Sequence, residues 1–161
     1  MLRLSSIPRA LSLASIEKPR PFVPGGEIYT PGTEPAVFSW NGANVAPFVC
    51  YDLRFPELFR EAARRWQPEI LVVIASWPEA RVSHWLALLQ ARAIENQAFV
   101  IGVNRTGTDP YFRYPGRSVV YEYSGACLAD AGEGEGVTRA TLDLSTLREY
   151  RARLPFLKDL R

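Results

Sequence analysis

Three short apolar runs, separated by two stretches with helical periodicity, constrain this chain more than any other feature. The runs are Val45 to Cys50, Ile70 to Ala75 and Ala98 to Val103. The second is continuous, β-branched and too short for a helix, so it predicts a strand buried on both faces, and Ala98 to Val103 predicts another buried strand. In Pro56 to Trp66, a helical wheel puts Leu58, Phe59, Ala62 and Trp66 on one face and Glu61, Arg64 and Arg65 largely away from it. Glu79 to Gln97 carries Val82, Trp85, Leu86, Leu89, Ala93 and Ile94 as one helical stripe. Strand, helix, strand, helix, strand predicts an α/β fold with parallel pairing and right-handed crossovers.

The flanks add antiparallel pieces. Asn41-Gly42 lies between Val37 to Trp40 and Ala43 to Cys50, the strongest short-range hairpin signal. Pro47 inside the second run points to an edge position or a bulge. Ser124-Gly125 predicts a hairpin between Ser118 to Tyr123 and Ala126 to Ala129. Val137 to Leu142 is expected as a last strand, and Asp143 to Tyr150 as a short helix leading into an irregular tail. Gly132 to Gly136 reads as a turn rather than a phosphate loop, because no helix pattern follows and Glu133 and Glu135 would repel phosphate.

A chain of 161 residues is long enough for one domain with one core. Its net charge of +2 implies no strong field for nucleic acid or a membrane surface. No apolar run is long enough to span a bilayer. The two cysteines, Cys50 and Cys127, lie far apart without metal-ligand spacing, so neither a zinc site nor a disulfide framework is expected. Cysteine usage of this kind fits a reducing compartment, and the cytoplasm is the expected setting. Met1 to Ile16 contains Arg3, Arg9, four serines and no acid, a composition shared with mitochondrial presequences. Its lack of a long apolar core and of an A-x-A site weighs against a secretory signal. The preferred reading is an unmatched leading segment, residues 1–17, ahead of a domain over 18–161.

Cys50 is the residue with most chemistry in view. It closes the apolar run and is followed at once by Tyr51-Asp52-Leu53-Arg54-Phe55-Pro56-Glu57. A strand ending in a thiol, then a tight turn, then a helix opened by proline is a way to display a nucleophile. The start of a helix offers unpaired N–H groups and partial positive charge, which favour a thiolate and an oxyanion. The competing reading of a strand-end cysteine is a buried structural thiol, and the flanking residues weigh against it here. Upstream candidates for its partners are Lys18, Glu27 and Glu34, which by themselves read as solvated loop residues.

Several motifs in order resemble the carbon–nitrogen hydrolase family, the nitrilase superfamily, from about Lys18 to the C-terminus. Lys18, Phe22 and Glu27 keep the spacing of the family's lysine motif, although Arg20 and Pro21 stand where the family usually has His and Leu. Cys50 to Glu57 matches the nucleophile motif. Ser76-Trp77-Pro78 looks like the turn after a strand, and Ala91 to Asn96 followed by Gly102 to Gly107 resembles the next helix and strand. Gly116-Arg117-Ser118 resembles the start of the C-terminal hairpin. Arg148-Glu149-Tyr150-Arg151 with Pro155-Phe156 is similar to the tail of the omega-amidase branch.

The resemblance implies an αββα sandwich and a Glu-Lys-Cys amidase acting on a small linear amide of a carboxylic acid. Cys50 would form a thioester. Lys18 and the Tyr51 N–H would hold the oxyanion, and Glu27 would position the site. Tyr29, Trp77 and Asn104 would line the pocket. Arg54 would either pair with Glu57 or meet a substrate carboxylate, which would suit 2-oxoglutaramate. No metal or organic cofactor is implied, and a homo-oligomer is expected by resemblance. The family's general-base glutamate lies upstream of its lysine. Glu17, the one acid ahead of Lys18, lacks the matching context, so no base is assigned. The chain is therefore expected to correspond to the C-terminal part of the fold, with the N-terminal half missing. An inactive fragment serving as an interaction or structural module is the alternative. A papain-like pairing of Cys50 with His84, the sole histidine, is disfavoured because His84 sits beside the apolar stripe as a boundary residue. A cysteine phosphatase is rejected because Cys50 and Arg54 are too close to form a phosphate cradle.

Overall fold

The computed structural model describes residues 34–160; Lys18, Glu27 and Tyr29 lie outside them. Six strands form one sheet: β1 (Phe38–Trp40), β2 (Ala43–Val49), β3 (Ile70–Ala75), β4 (Phe99–Asn104), β7 (Val119–Tyr121) and β8 (Cys127–Asp130), in that spatial order. The pairs β2–β3 and β3–β4 are parallel, and the outer pairs are antiparallel. A two-stranded ribbon, β5 (Thr106–Thr108) with β6 (Arg113–Pro115), rises beyond the end of β4. The helices are α1 (Pro56–Trp66), α2 (Val82–Asn96) and α3 (Leu144–Arg153).

The local signals act as expected. Asn41 and Gly42 both take positive φ, +48° and +78°, the conformation a two-residue hairpin requires. Strand β1 pairs only as far as Phe38 opposite Val45, so Pro47 lies on β2 beyond the reach of β1, where its missing N–H costs no ladder bond on that side. Both α1 and α2 close on a left-handed glutamine, Gln67 and Gln97, each at φ +46°. Tertiary bonds hold these unusual caps: the Arg151 guanidinium donates to the carbonyls of Gln67 (2.9 Å), Pro68 (2.7 Å) and Gln97 (2.8 Å). Burial pushes Arg151 down to about 10, well above neutrality, so it stays charged.

One face of the sheet packs under α1 and α2. Ala46, Phe48, Leu71, Val73, Val100 and Val119 meet Leu58, Phe59, Trp85 and Leu89 in the main core. On the other face, α3 covers one end, where Leu147 packs with Ala43, Val45, Ile70 and Phe99. The far end of that face is open: Ile74 and Val103 are 45% and 47% exposed. The expectation that β3 and β4 are buried on both faces is therefore corrected, because α3 reaches only one end of the strands. Two other expectations also change. Residues 137–142 form no strand: Val137 is exposed, and although Leu142 packs against the cluster of Ala43, Val45 and Ile70, the segment pairs with no strand among the described residues. Ile94 is half exposed, because the buried face of α2 runs through Trp85, Leu89 and Ala93 instead. No helix among the described residues is long and apolar enough to cross a membrane.

Asp143 caps α3, accepting from the Ser145 and Thr146 amides. Arg148 ties α3 to the sheet through Glu69, with Nε to Oε1 at 2.7 Å. Burial raises the Glu69 pKa, but the Arg148 and Asn44 donors outweigh it, and the net direction is down. A carboxylate with a depressed folded pKa contributes stability above its unfolded value of about 4.3, and that contribution is lost as pH falls through the folded value. Thermal melts from about pH 5 downward should therefore show a loss of stability that Glu69→Gln reduces. An unchanged slope in Glu69→Gln would contradict this role.

Candidate functional site

Cys50 sits where β2 ends. Val49 is still extended (φ −124°, ψ 116°), and Cys50 turns to φ +46°, the left-handed region. A non-glycine residue there carries a cost of about 1 kcal/mol, and such strain clusters at functional sites. The chain then makes a 3-10 turn, Cys50–Arg54, and α1 begins only at Pro56. The N–H groups beside the sulfur thus belong to this short turn rather than to the helix that the sequence placed there.

Three groups brace the turn. Asp52 is buried and its Oδ2 accepts from the Val49 N–H at 2.8 Å. The amide of Phe55 donates to the Asp52 carbonyl at 3.0 Å. Arg92, buried on α2, donates Nη2 to the Leu53 carbonyl at 2.8 Å and pairs with Glu95 at 2.9 Å. The Arg92–Glu95 pair was legible from spacing. The reach of Arg92 across 39 residues to the turn was not.

Cys50 lines a cavity of about 910 Å³. Tyr51 and Arg54 join it from the turn, Ser76, Trp77 and Pro78 from the segment after β3, and Phe112 and Tyr114 from the β5–β6 ribbon. Trp77 is held on every side. Its N–H donates to Asn104 Oδ1 at 2.7 Å, its carbonyl accepts from Asn104 Nδ2 at 3.2 Å, and its Nε1 donates to the Arg81 carbonyl at 2.8 Å. Asn104 Nδ2 also donates to the Gly116 carbonyl at 2.7 Å. Asn104 is buried and is not among the residues lining the cavity; it fixes Trp77, which does line it.

Arg54 lies over the Trp77 ring at 4.7 Å, and its Nη1 meets His84 Nδ1 at 3.1 Å. The Arg54–Glu57 ion pair considered from sequence is not formed among the described residues; His84 and Trp77 take the guanidinium instead. The ribbon was missed by sequence, although Asp109-Pro110 was an available turn signal. Asp109 accepts from the amides of Tyr111 and Phe112 and from the Tyr114 hydroxyl, the last at 2.7 Å. The Tyr114 bond first and the Tyr111 amide next hold the Asp109 carboxyl below its usual range. The same bond, then burial, pushes the Tyr114 phenol up, so it remains protonated. Arg113 pairs with Glu79 and so ties the ribbon to the turn that precedes α2. Among the described residues, no cluster of three His, Cys, Asp or Glu side chains could hold a metal.

Chemically, this is a thiol on a positive-φ residue at a strand end, lining a cavity that Arg54 and Arg81 also line. Comparison with known proteins shows the family. The family model described as carbon-nitrogen hydrolase matches residues 9–152. A 2-oxoglutaramate amidase of Bacillus subtilis is 39% identical over 130 residues, covering 81% of this chain and 50% of that protein. An omega-amidase of Yersinia enterocolitica, YafV, is 43% identical over 133 residues, covering 81% of this chain and 51% of that protein. Among solved structures, a CN-hydrolase superfamily protein of Xanthomonas campestris with an arsenic adduct in its active site superposes with a TM-score of 0.76 at 39% identity, over 81% of this chain and 52% of that one. An amidase mutant of Nesterenkonia sp., with acrylamide added at its active-site cysteine, superposes with a TM-score of 0.62 at 33% identity, over 79% of this chain and 50% of that one. The chain thus spans about half the length of the curated relatives it matches. In fold and in sequence, it belongs to the carbon-nitrogen hydrolase family.

Proposed function

We propose that this chain supplies the nucleophile and one wall of an amidase that releases ammonia from a small linear amide of a carboxylic acid, as an omega-amidase does. The observation that carries the reading is Cys50 itself, held at φ +46° at a strand end and facing a cavity of about 910 Å³. The volume is at the large end of the range for small-ligand pockets.

In this reading the Cys50 thiolate attacks the amide carbon, and the carbonyl oxygen becomes an oxyanion. The Tyr51 N–H and Lys18 stabilise that charge, the role a compact cation beside a sulfur suits. The carbon–nitrogen bond breaks, the nitrogen leaves as ammonia with the proton that the Cys50 thiol gave up, and a thioester remains. Water then attacks the thioester, releasing the acid and regenerating the thiol. Glu27 positions Lys18, and Tyr29 and Trp77 line the pocket. Asn104 contributes by fixing Trp77.

Arg54 and Arg81 stand on the cavity wall, and no carboxylate is among the described residues that line it. That charge balance supports a substrate with an anionic far end, such as the monoamide of a dicarboxylic acid. 2-Oxoglutaramate fits, and the Bacillus subtilis relative is named for it. The cytoplasmic setting and homo-oligomer implied by the resemblance belong to the same proposal.

The test is ammonia release from 2-oxoglutaramate and succinamate by the purified chain, with intact-mass detection of an acyl adduct mapped to Cys50. Ammonia together with the adduct is the expected result. No ammonia, or ammonia without any adduct on Cys50, would sink the reading.

A further inference from the structure

We infer that His84 is a positioning residue that sets Arg54 to receive the anionic end of the ligand, an inference that rests on the carboxylate-recognising reading above. His84 does not line the cavity; it stands on the exposed side of α2 and acts through its neighbour. Arg54 does line the cavity and projects from the turn that carries Cys50. Its Nη1 lies 3.1 Å from His84 Nδ1. A guanidinium has donors and no acceptor, so in this contact the imidazole accepts at Nδ1. The second restraint is the Trp77 ring, 4.7 Å below the guanidinium carbon.

The two restraints do different things. Trp77 restrains the guanidinium from one side as a cation–π partner, and Asn104 and Arg81 in turn hold Trp77. His84 fixes its direction by holding one edge. The remaining edges of the fork stay available to a carboxylate, and among the described residues no acid forms an ion pair with Arg54. A long side chain held beforehand loses less freedom when it binds an anion, so preorganisation raises selectivity for the charged ligand. Because α2 carries His84 and is anchored in the core by Trp85 and Leu89, the restraint is rigid.

The experiment uses Cys50 as its own reporter and needs no turnover. Iodoacetate and iodoacetamide both alkylate a thiolate, with loss of iodide, and differ in charge. Their rate ratio at one cysteine therefore cancels the thiolate fraction. Exposed Cys127, resolved by peptide mass spectrometry, gives the reference ratio in the same sample. Arg54→Gln should lower the Cys50 preference for iodoacetate about fivefold, the value of one unit charge near contact in water. His84→Ala should lower it about threefold, the worth of one hydrogen bond. His84→Asn, which keeps an acceptor, should retain the wild-type ratio. In the Arg54→Gln background, His84→Ala should have no further effect.

Each other outcome overturns the proposal. An unchanged ratio in His84→Ala would show that His84 does not position Arg54. The same decrease in both backgrounds would show that His84 acts independently of Arg54. No change in Arg54→Gln would remove the carboxylate role of Arg54 as well; ammonia release from a neutral linear amide would then show whether the amidase reading survives without it.

Discussion

Cys50→Ala is expected to bring ammonia release down to the uncatalysed level, a loss of at least about 10⁴-fold, as removal of a covalent nucleophile does in other hydrolases. The fold should be unaffected. Cys50 is only partly buried and packs at the margin of the main core, and alanine keeps its Cβ. Alanine keeps the Cβ and therefore keeps the positive-φ strain. Cys50→Gly removes it, and should be more stable than Cys50→Ala by about 1 kcal/mol while being equally inactive. Ammonia assays and denaturant melts on the two variants separate these effects. Residual turnover in Cys50→Ala above the uncatalysed rate would remove the sulfur from the mechanism. A glycine variant less stable than the alanine variant would show that the backbone at residue 50 is not strained.

Trp85→Ala is expected to destabilise the chain by about 3–5 kcal/mol, a large share of the about 5–15 kcal/mol that holds a typical domain together. Trp85 is fully buried between α2 and the sheet. Its ring lies 5.6 Å from that of Trp77, and its Nε1 donates to the Arg117 carbonyl at 2.8 Å. Truncation leaves a cavity, orphans that carbonyl and removes the support behind the cavity wall. Gly102 on β4 shows how tight the site is: a Cβ there would stand 2.4 Å from Leu89 Cδ1 and 2.9 Å from Trp85 Cζ2. Equilibrium unfolding in urea measures the effect. A loss below about 1 kcal/mol would contradict the packing, since that is the scale of a surface substitution.

The sequence exposed the placement of both residues. The display of Cys50 was legible because an apolar run ending in a thiol and followed by a proline-opened helix is local information. The burial of Trp85 was legible for the same reason, through the helical stripe it shares with Leu89 and Ala93. Ile94 belonged to that stripe by periodicity yet is half exposed, because the buried face of α2 runs through Trp85, Leu89 and Ala93 instead. Val137 to Leu142 has the composition of a strand and forms none, because a strand needs a neighbour and sequence does not say whether one is in place.

By itself the sequence determined the strands and helices of the α/β core, the Asn41-Gly42 hairpin, the cysteine at the strand end and the family. All of these depend on contacts within a few residues or on repeating patterns. Only the tertiary structure decided which side chains meet around Cys50. Arg92 reaches the Leu53 carbonyl, His84 meets Arg54, Asn104 clamps Trp77, and the 106–115 ribbon brings Phe112 and Tyr114 to the cavity. Each of these joins residues far apart in the chain, and the geometry that unites them is set by the packing of α2 and the end of β4 around the turn. Local propensity carries no information about that distance, which is why the cysteine at the strand end could be read from the sequence and most of its surroundings could not.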